Sequence, residues 1–339
     1  MKVLVTGASG FVGSAVVRAL VAQTDHEVVC QVRATSNFAR LDPLAQDSAA
    51  GRVKFVAANL LSRADTAKVV SGVDTIIHCA AGMPRSGIGP ADLYLNTVVA
   101  TRNLLDVLGR YRKRRLVLVG SFSVYGTAEL PRGAIINEDT PTETRHDKRG
   151  DFYALAKLHQ EELVRERADA MGLEVVVARL GAVYGPGGSA LSARIGIELP
   201  GLFLSLGGGN LLPLSFVDNS ADALVLAATA PAAGGLTVNV HDDELPTCRQ
   251  YLRRYRQQVR RLRTLPLPYP LLLLASTVVE SYHRKSKGQL PAVITPYRAR
   301  SLYVGRRFDN SRLKSLGWRQ AVTTDEGIRR TFESLRSAA

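Results

Sequence analysis

Cysteine is scarce in this chain of 339 residues, which carries only Cys30, Cys79 and Cys248. The three are widely separated and odd in number, and none has metal-ligand spacing with the six histidines. This pattern argues against a disulfide framework and against a zinc site, and it favours a reducing compartment. We therefore expect a cytoplasmic protein without a metal site.

Long hydrophobic runs are also missing. The most apolar stretch, residues 265–279, contains three prolines and is too short to cross a bilayer, although it can lie on a membrane surface. The N-terminus shows no hydrophobic leader with a small-residue cleavage site, because residues 2–6 run directly into glycine. We expect no signal peptide, and we expect residues 2–6 to form a strand.

Acidic residues are outnumbered, with 30 Asp and Glu against 44 Lys and Arg, and the net charge is +14. The basic run at 110–115 is most simply a solvated helix end. The run at 253–263 is predicted to be helical, because apolar side chains keep helical spacing from Leu252 to Leu262. A solvated helix is the simpler interpretation, and contact with phosphates or a peripheral membrane contact through 249–279 is the alternative. No binding motif accompanies the charge, so we expect no nucleic-acid partner.

The pattern of the chain predicts an α/β protein. Short apolar runs alternate with amphipathic helices, including one helix predicted over residues 93–108, which indicates a Rossmann-type, doubly wound parallel sheet. Regularity falls from residue 181 onward, where a smaller, mixed C-terminal substrate domain is expected. We assign 1–180 to a dinucleotide-binding domain and 181–339 mainly to the substrate domain, with parts of 215–240 returning to the first.

A glycine-rich turn separates the first predicted strand from the first helix. Gly7 permits the tight turn, Gly10 lets a pyrophosphate approach the backbone, and Gly13 lets the helix pack on the strand. The free amides and the dipole of the helix N-terminus would face the phosphates. This placement indicates a dinucleotide site.

Arg33 follows the second predicted strand. An acidic residue there would hydrogen-bond the ribose hydroxyls, whereas an arginine can hold a 2′-phosphate, so Arg33 favours NADP. The alternative is that Arg33 stacks on the adenine or points to solvent.

Tyr153 and Lys157 lie four residues apart in a predicted helix that Asp151 begins and Gly172 ends, so they share one helical face. The strand before that helix runs into Ser121, whose hydroxyl would face the ligand crevice. His78 ends another predicted strand in apolar surroundings, and we interpret it as a satisfied core histidine rather than a base.

Together these features resemble the short-chain dehydrogenase/reductase superfamily and, within its extended branch, the NAD-dependent epimerase/dehydratase family. The apolar C-terminal region resembles that of 3β-hydroxysteroid dehydrogenase-like members. The segments that carry the resemblance are residues 6–13, 76–81, 120–126, Tyr153 with Lys157, 179–187, 216–219 and 316–318, with 265–279 and 291–297 for the C-terminal region.

The resemblance implies that Tyr153 exchanges a proton with the substrate oxygen and that Ser121 hydrogen-bonds the same oxygen, with Ser123 as the alternate. It implies that Lys157 stabilises the phenolate and holds the nicotinamide ribose of NAD or NADP. Asn96 would support the active-site network. The implied coenzyme-binding residues are Gly7, Ser9, Gly10, Phe11, Val12, Gly13, Arg33, Asn59, Leu60, Ala80, Asn96, Tyr153 and Lys157.

The leading functional prediction is an NAD(P)-dependent enzyme that oxidises, reduces or epimerises a secondary alcohol or ketone of a small molecule, on a nucleotide- or carrier-linked sugar. Residues 209–214 lack the arginine with which nucleotide-sugar epimerases hold the diphosphate, unless the helix at 253–263 supplies the charge. That departure favours the alternative, a hydrophobic ring alcohol or ketone. A third hypothesis is a non-catalytic coenzyme-sensing regulator, although such proteins typically lose Tyr153 or Lys157. We expect a homodimer.

Overall fold

The computed structural model describes residues 1–84, 88–109, 115–189, 191–285 and 294–337. Most of the predicted basic run at 110–115 and the start of the segment at 291–297 lie outside the described residues.

Strands and helices alternate through the first part of the chain. Its strands are β1 (Lys2–Thr6), β2 (Glu27–Val32), β3 (Val53–Ala57), β4 (Thr75–His78), β5 (Arg115–Ser121), β6 (Ile135–Ile136) and β7 (Glu174–Leu180). Its helices are α1 (Phe11–Gln23), α2 (Ala45–Ala49), α3 (Arg63–Val70), α4 (Pro90–Tyr94), α5 (Ala100–Leu108), α6 (His146–Arg149) and α7 (Phe152–Met171).

The remainder of the chain has shorter strands. They are β8 (Ala182–Tyr184), β9 (Gly196–Leu199), β10 (Leu202–Ser205), β11 (Leu214–Phe216), β12 (Thr237–Val240), β13 (Thr264–Pro266) and β14 (Arg307–Phe308). The helices are α8 (Val217–Thr229), α9 (Cys248–Gln258), α10 (Tyr269–Lys285), α11 (Pro296–Tyr303), α12 (Ser311–Ser315) and α13 (Thr324–Ser337).

Seven strands form one sheet in the order β12-β7-β5-β4-β1-β2-β3, and every neighbouring pair is parallel. The apolar side chains of the central strands are buried, which suits a parallel sheet covered on both faces. The chain reverses its direction across the sheet between β1 and β4, and ligands bind at the carboxyl ends of strands at such a point. The predicted doubly wound Rossmann sheet is confirmed.

Helices cover both faces of this sheet. The α1 and α8 helices pack against each other on one face, and α3, α5 and α7 lie in the hydrophobic cluster of the other face. Two elements from the later half of the chain thus join the N-terminal part: α8 packs on the seven-stranded sheet, and β12 is an edge strand of it. Three other C-terminal strands form a separate sheet in the order β13-β10-β9, which has one parallel and one antiparallel pair, so the predicted mixed C-terminal part is confirmed.

Two predicted helices have different limits in the structure. The basic helix predicted through residue 263 ends at Gln258, because the backbone of Arg263 accepts a hydrogen bond from Phe203 N (2.8 Å) and the following residues pair with β10. Residues 93–108 do not form one regular helix, since a π-helical turn, Leu95–Val99, separates α4 from α5. The periodicity of apolar side chains does not show which distant strand a segment will pair with. It also does not show where a single turn of a helix becomes π-helical.

The apolar segment at 265–279 divides into β13 and the start of α10. Its prolines precede the helix or occupy the first turn, where the missing N–H costs no helical hydrogen bond, so the helix continues to Lys285. Within the described ranges, none of the helices has the length and apolar character needed to cross a bilayer.

Candidate active site

The glycine turn holds β1 and α1 in close contact. Gly7 has a φ of +64°, in the left-handed region that glycine adopts readily, and the Gly10 amide donates to Gly7 O at 2.9 Å. A Cβ atom on Gly13 would lie 2.2 Å from Gly7 O, so the first turn of α1 approaches the strand as closely as only glycine permits. The amides after Gly10 stand at the N-terminus of a helix of 13 residues, a geometry that suits a phosphate group.

Gln31 fixes this turn, and the sequence analysis missed it. Its side chain is buried, accepts from Gly7 N at 2.8 Å and donates to Ala58 O at 2.7 Å. The amide thus joins the glycine turn to the ends of β2 and β3. The available signal was a polar residue in an otherwise apolar strand.

Arg33 is exposed at the carboxyl end of β2. Its backbone amide donates to Ser36 Oγ at 2.9 Å, and Ser9 Oγ donates to the same oxygen at 3.0 Å. The loop after β2 is therefore folded against the glycine turn, and Arg33 lies beside it.

The other predicted coenzyme residues are distributed unevenly. Ala80 adjoins the turn, since its backbone would lie 3.0 Å from a Cβ on Gly7, and Phe11 and Val12 form the half-buried first turn of α1.

Asn59 follows β3, where its side chain accepts from Leu61 N at 3.0 Å, and Leu60 is buried beside it. Asn96 lies in the π-helical turn, and its side chain donates to Asp92 O at 2.9 Å, along its own helix.

The predicted helix of Tyr153 and Lys157 is α7, with the expected ends. Asp151 Oδ1 accepts from Ala154 N at 3.1 Å at the N-terminus, and Gly172 closes the helix with a φ of +59°. Tyr153 is half-buried and lies close enough to Ser121, which ends β5, for that side chain to affect its pKa.

The phenol of Tyr153 keeps its proton near neutral pH in this structure. Burial raises its pKa, the hydrogen bond from Ser121 opposes that rise, and the negative charge of Asp151 adds to it. Ser121 Oγ also accepts from Ser123 N at 3.1 Å. The Ser123 hydroxyl is buried and has no hydrogen-bond partner in the described part of the chain. Of the two serines, Ser121 is thus the one that influences the pKa of Tyr153.

Lys157 is 4% exposed, one turn along α7 from Tyr153. Its Nζ donates to Val119 O and to Gln160 Oε1, both at 2.6 Å. Burial lowers the pKa of the amine to about 8, so the group remains mostly protonated at neutral pH.

A buried chain of hydrogen bonds connects Lys157 to β1. Gln160 Nε2 donates to Thr101 Oγ1 at 2.8 Å, His78 Nε2 lies 2.9 Å from the same oxygen, and His78 Nδ1 lies 2.7 Å from Thr6 Oγ1. None of these links was predicted from the sequence, because they join residues far apart along the chain.

Counting protons in this chain defines the state of His78. Thr101 donates its only proton to Thr97 O at 2.6 Å, so it accepts from both Gln160 and His78. His78 therefore carries its proton on Nε2 and accepts from Thr6 at Nδ1. Burial and then the charge of Lys157 lower its pKa to about 3. His78 is a neutral, satisfied core residue, as predicted, and not a base.

Arg194 was also missed; it lies before β9, where its carbonyl oxygen accepts a hydrogen bond from Cys248 Sγ at 3.6 Å. Burial lowers its pKa to about 10, the positive charge of Arg149 adds to this, and Cys248, Tyr303 and Asp151 act in the opposite direction. The groups that shift its pKa belong to α6, the start of α7, α9 and α11. Sequence spacing gives no indication of such a position.

An arginine-lined groove, a cavity of about 1340 Å³, adjoins this region. Its walls are the glycine loop after β10, the helix α9, the segment from β13 to Tyr269, and Tyr303 with its neighbours. Positive charge was expected from this part of the sequence, but not its arrangement around a cavity. The cations that line the groove are Arg132, Arg249, Arg253, Arg256, Arg260 and Arg261.

The family model of the NAD dependent epimerase/dehydratase family matches residues 3–240. The chain belongs to this family. The resemblance to the extended short-chain dehydrogenase/reductases is thereby confirmed, and the glycine turn, Ser121, Tyr153 and Lys157 all lie within the matched region.

Curated relatives of this epimerase/dehydratase-family protein have more than one activity. The 3beta-hydroxysteroid-dehydrogenase/decarboxylase isoform 2 of Arabidopsis thaliana is 27% identical, with 98% of this chain and 61% of the relative covered. The dTDP-glucose 4,6-dehydratase of Salmonella typhimurium is 26% identical, with 98% of this chain and 92% of the relative covered. The chain thus spans less than two thirds of the plant relative.

Solved structures share the fold of this family member. DesIV, a dTDP-glucose 4,6-dehydratase from Streptomyces venezuelae with NAD bound, gives a TM-score of 0.75 at 22% identity, covering 99% of this chain and 97% of that one. The UDP-glucuronic acid 4-epimerase from Bacillus cereus in complex with NAD gives 0.73 at 18% identity, covering 100% and 99%. At these identities the likeness shows the fold alone.

Proposed function

We propose that the protein is an NAD(P)-dependent enzyme that oxidises, reduces or epimerises a secondary alcohol or ketone. The observation that carries this proposal is the placement of Tyr153 near Ser121, with the buried amine of Lys157 one turn along the same helix. We infer that residues 1–180, with α8 and β12, bind the coenzyme and that the remainder binds the substrate. The glycine turn, where a Cβ would collide, fits a pyrophosphate.

Each side chain has a separate role in this proposal. Tyr153 gives a proton to the substrate oxygen in reduction and takes it in oxidation, while Ser121 holds that oxygen in place. Lys157 supplies positive charge that favours the phenolate. The nicotinamide, when bound, supplies or accepts the hydride. A panel of sugar nucleotides, lipid-linked sugars and hydrophobic ring ketones, assayed with NAD and NADP, tests the activity; dinucleotide binding without turnover on any member would favour the coenzyme-sensing regulator.

We propose a sugar linked to an anionic carrier, nucleotide or lipid diphosphate, as the substrate. The arginine-lined groove supports this choice, because it offers the charge that residues 209–214 lack. Arg194 adds positive charge that interacts with Asp151, at the start of the helix that bears Tyr153.

The groove makes a kinetic prediction. Arg253→Ala/Arg256→Ala should raise KM for the anionic substrate at least about tenfold and leave kcat nearly unchanged. The reason is that the change removes charged hydrogen bonds that stabilise the bound substrate and the transition state equally. Steady-state kinetics measures both constants. The charge-matched control, Lys54→Ala/Lys68→Ala, removes two exposed cations from β3 and α3 and should keep the wild-type KM. An unchanged KM in the arginine variant would show that these arginines of the groove do not bind the substrate.

Arg33 predicts the coenzyme preference. Its position beside the glycine turn supports contact with a 2′-phosphate, so we propose NADP as the preferred coenzyme. Arg33→Ala should weaken NADP binding about tenfold or more and leave NAD binding nearly unchanged, since one charge-assisted contact is lost. Dissociation constants for both dinucleotides measure this, with Lys54→Ala as the control. A strong NAD preference that Arg33→Ala does not alter would contradict the assignment.

A hydrophobic ring alcohol or ketone is the second candidate substrate. The apolar helix α10 beside the groove favours it, as does the steroid activity named for the plant relative. Turnover of the ring ketones in the panel, with no turnover of anionic sugars, would select this alternative.

Two further features belong to the proposal. We propose a homodimer, for which the exposed Tyr94 and Leu95 offer an apolar surface, and peripheral membrane contact through residues 249–279.

A further inference from the structure

Gln160 holds the amine of Lys157 from within α7. Its side chain is fully buried, and its Oε1 accepts from Lys157 Nζ at 2.6 Å. Because an ammonium group only donates, the carbonyl oxygen of Gln160 must face Lys157. At the other end its Nε2 donates to Thr101 Oγ1 at 2.8 Å, and Thr101 requires a donor there, since its only proton goes to Thr97 O. The orientation of the Gln160 amide is therefore fixed from both ends.

The backbone of β5 supplies the second partner of this amine. Lys157 Nζ donates to Val119 O at 2.6 Å, so two of its three N–H groups are used within the described part of the chain. The stem of a lysine side chain is flexible, and two acceptors on different elements restrict its amine to one position. The third N–H is left for the ribose hydroxyl that the proposed function gives to Lys157.

The side chain in contact with this amine is neutral, although a buried carboxylate follows it directly in the sequence. Glu161 Oε1 accepts from Arg179 Nη2 at 2.6 Å and from Arg165 Nη2 at 2.9 Å. The charge of Glu161 is thus matched by two arginines. An amide, and not this carboxylate, is the hydrogen-bond acceptor that α7 gives to Lys157.

The titratable groups that act on Lys157 lie on α7 and at the end of β4. Burial lowers the pKa of the amine to about 8, while Cys79 and Glu161 act in the opposite direction. His78 is neutral, because burial and the charge of Lys157 lower its pKa to about 3. A carbonyl that accepts from an ammonium favours its charged form, but less strongly than a carboxylate in the same place. The identity of residue 160 therefore affects how far burial can shift this amine.

We propose that Gln160 is a positioning residue for Lys157, which keeps the amine charged and leaves one of its N–H groups for the coenzyme. This inference rests on the proposed function, in which the charge of Lys157 favours the Tyr153 phenolate and its free N–H holds the nicotinamide ribose. Gln160 acts through Lys157 and is not itself a catalytic residue.

Two substitutions of Gln160 should move the titration of Lys157 in opposite directions. Gln160→Leu removes the acceptor and should lower the pKa of Lys157 by about one pH unit, whereas Gln160→Glu supplies a carboxylate and should raise it by about one pH unit or more. Thr101 can turn its proton from Thr97 O to the new carboxylate, so the buried groups keep partners. An NMR titration of the full-length protein with carbon-13-labelled lysine measures this, with the Lys157 signal assigned by its loss in Lys157→Met.

The controls Gln23→Leu and Gln23→Glu make the same changes at the exposed end of α1 and should leave the Lys157 midpoint at its wild-type value. A glutamine with a purely structural role could lower stability in both Gln160 variants, but it would not produce shifts of opposite sign. A wild-type midpoint in Gln160→Glu, or shifts of the same sign in both variants, would overturn the proposal. Gln160→Glu is nearly isosteric and tests it alone if the leucine variant does not fold.

A calorimetric titration with the dinucleotide tests the coenzyme part of the inference. Affinity should fall as pH rises through the Lys157 midpoint, because the amine then loses the N–H left for the ribose, and this fall should follow the midpoint in each variant. No dinucleotide binding by the wild type would overturn the proposed function and this part with it. Dinucleotide binding together with an unmoved Lys157 midpoint in the Gln160 variants would overturn the inference alone.

Discussion

Tyr153→Phe is expected to lower kcat by about 100- to 10,000-fold, the usual contribution of a positioned acid or base. The change removes one oxygen from a half-buried ring, so the fold and the glycine turn should remain intact. Dinucleotide affinity should therefore be nearly unchanged. Turnover of the substrate identified in the panel, together with a calorimetric dinucleotide titration, measures both quantities.

The matched control is Tyr282→Phe, which removes a phenolic oxygen from the exposed side of α10. Its turnover of a water-soluble substrate should equal that of the wild type. Turnover within a few-fold of wild type in Tyr153→Phe would mean that another group transfers the proton.

The pH dependence of oxidation depends on the same phenol. Because burial raises the pKa of Tyr153, the phenol is protonated below that pKa and cannot accept a proton. The value of kcat/KM for oxidation should fall as pH falls, and Tyr153→Phe should lose this dependence. Under the proposed mechanism, positive charge from Lys157 stabilises the phenolate only while the amine is protonated, and burial lowers the pKa of that amine to about 8.

Local patterns in the sequence were sufficient to predict those parts of the candidate site that lie within one short segment. The glycine turn, the caps of α7 and the buried state of His78 follow from spacing, capping residues and apolar neighbours, and the structure contains each of them. The alternation of strands and helices likewise predicted the parallel sheet.

Contacts between distant segments were not predictable in this way. Gln31 acts on the turn 24 residues earlier, and the pKa of Arg194 responds to side chains on α6, α9 and α11. The end of α9 is decided by pairing between β10 and β13. Each of these depends on which segments the completed fold brings together, and propensity along one segment does not contain that information.

Glu161→Ala is expected to destabilise the protein by about 3–5 kcal/mol, because it leaves a buried charge without its partner. Arg179 Nη2 donates to Glu161 Oε1 at 2.6 Å and its Nε donates to Oε2 at 3.1 Å, and both side chains are at least 95% buried. The pair joins α7, which carries Tyr153, to β7. Denaturant unfolding of both proteins measures the loss.

An exposed pair supplies the control. Glu333 binds Arg329 at 2.7 Å, but the two side chains are 45% and 56% exposed, so Glu333→Ala should cost no more than about 1 kcal/mol. Equal losses in the two variants would mean that burial does not strengthen the Arg179 pair.

The contribution of Glu161 should also depend on pH. Burial raises its pKa, but hydrogen bonds and positive charge from Arg179, with a contribution from Arg165, outweigh burial and leave the pKa below its ordinary value. A carboxyl whose folded pKa is depressed stabilises the protein above its unfolded pKa, near ~4.3, and loses that effect as pH falls through the folded pKa. The difference in unfolding free energy between wild type and Glu161→Ala should therefore be full at neutral pH and shrink in acid, since protonation removes from the wild type the same charge that the substitution removes.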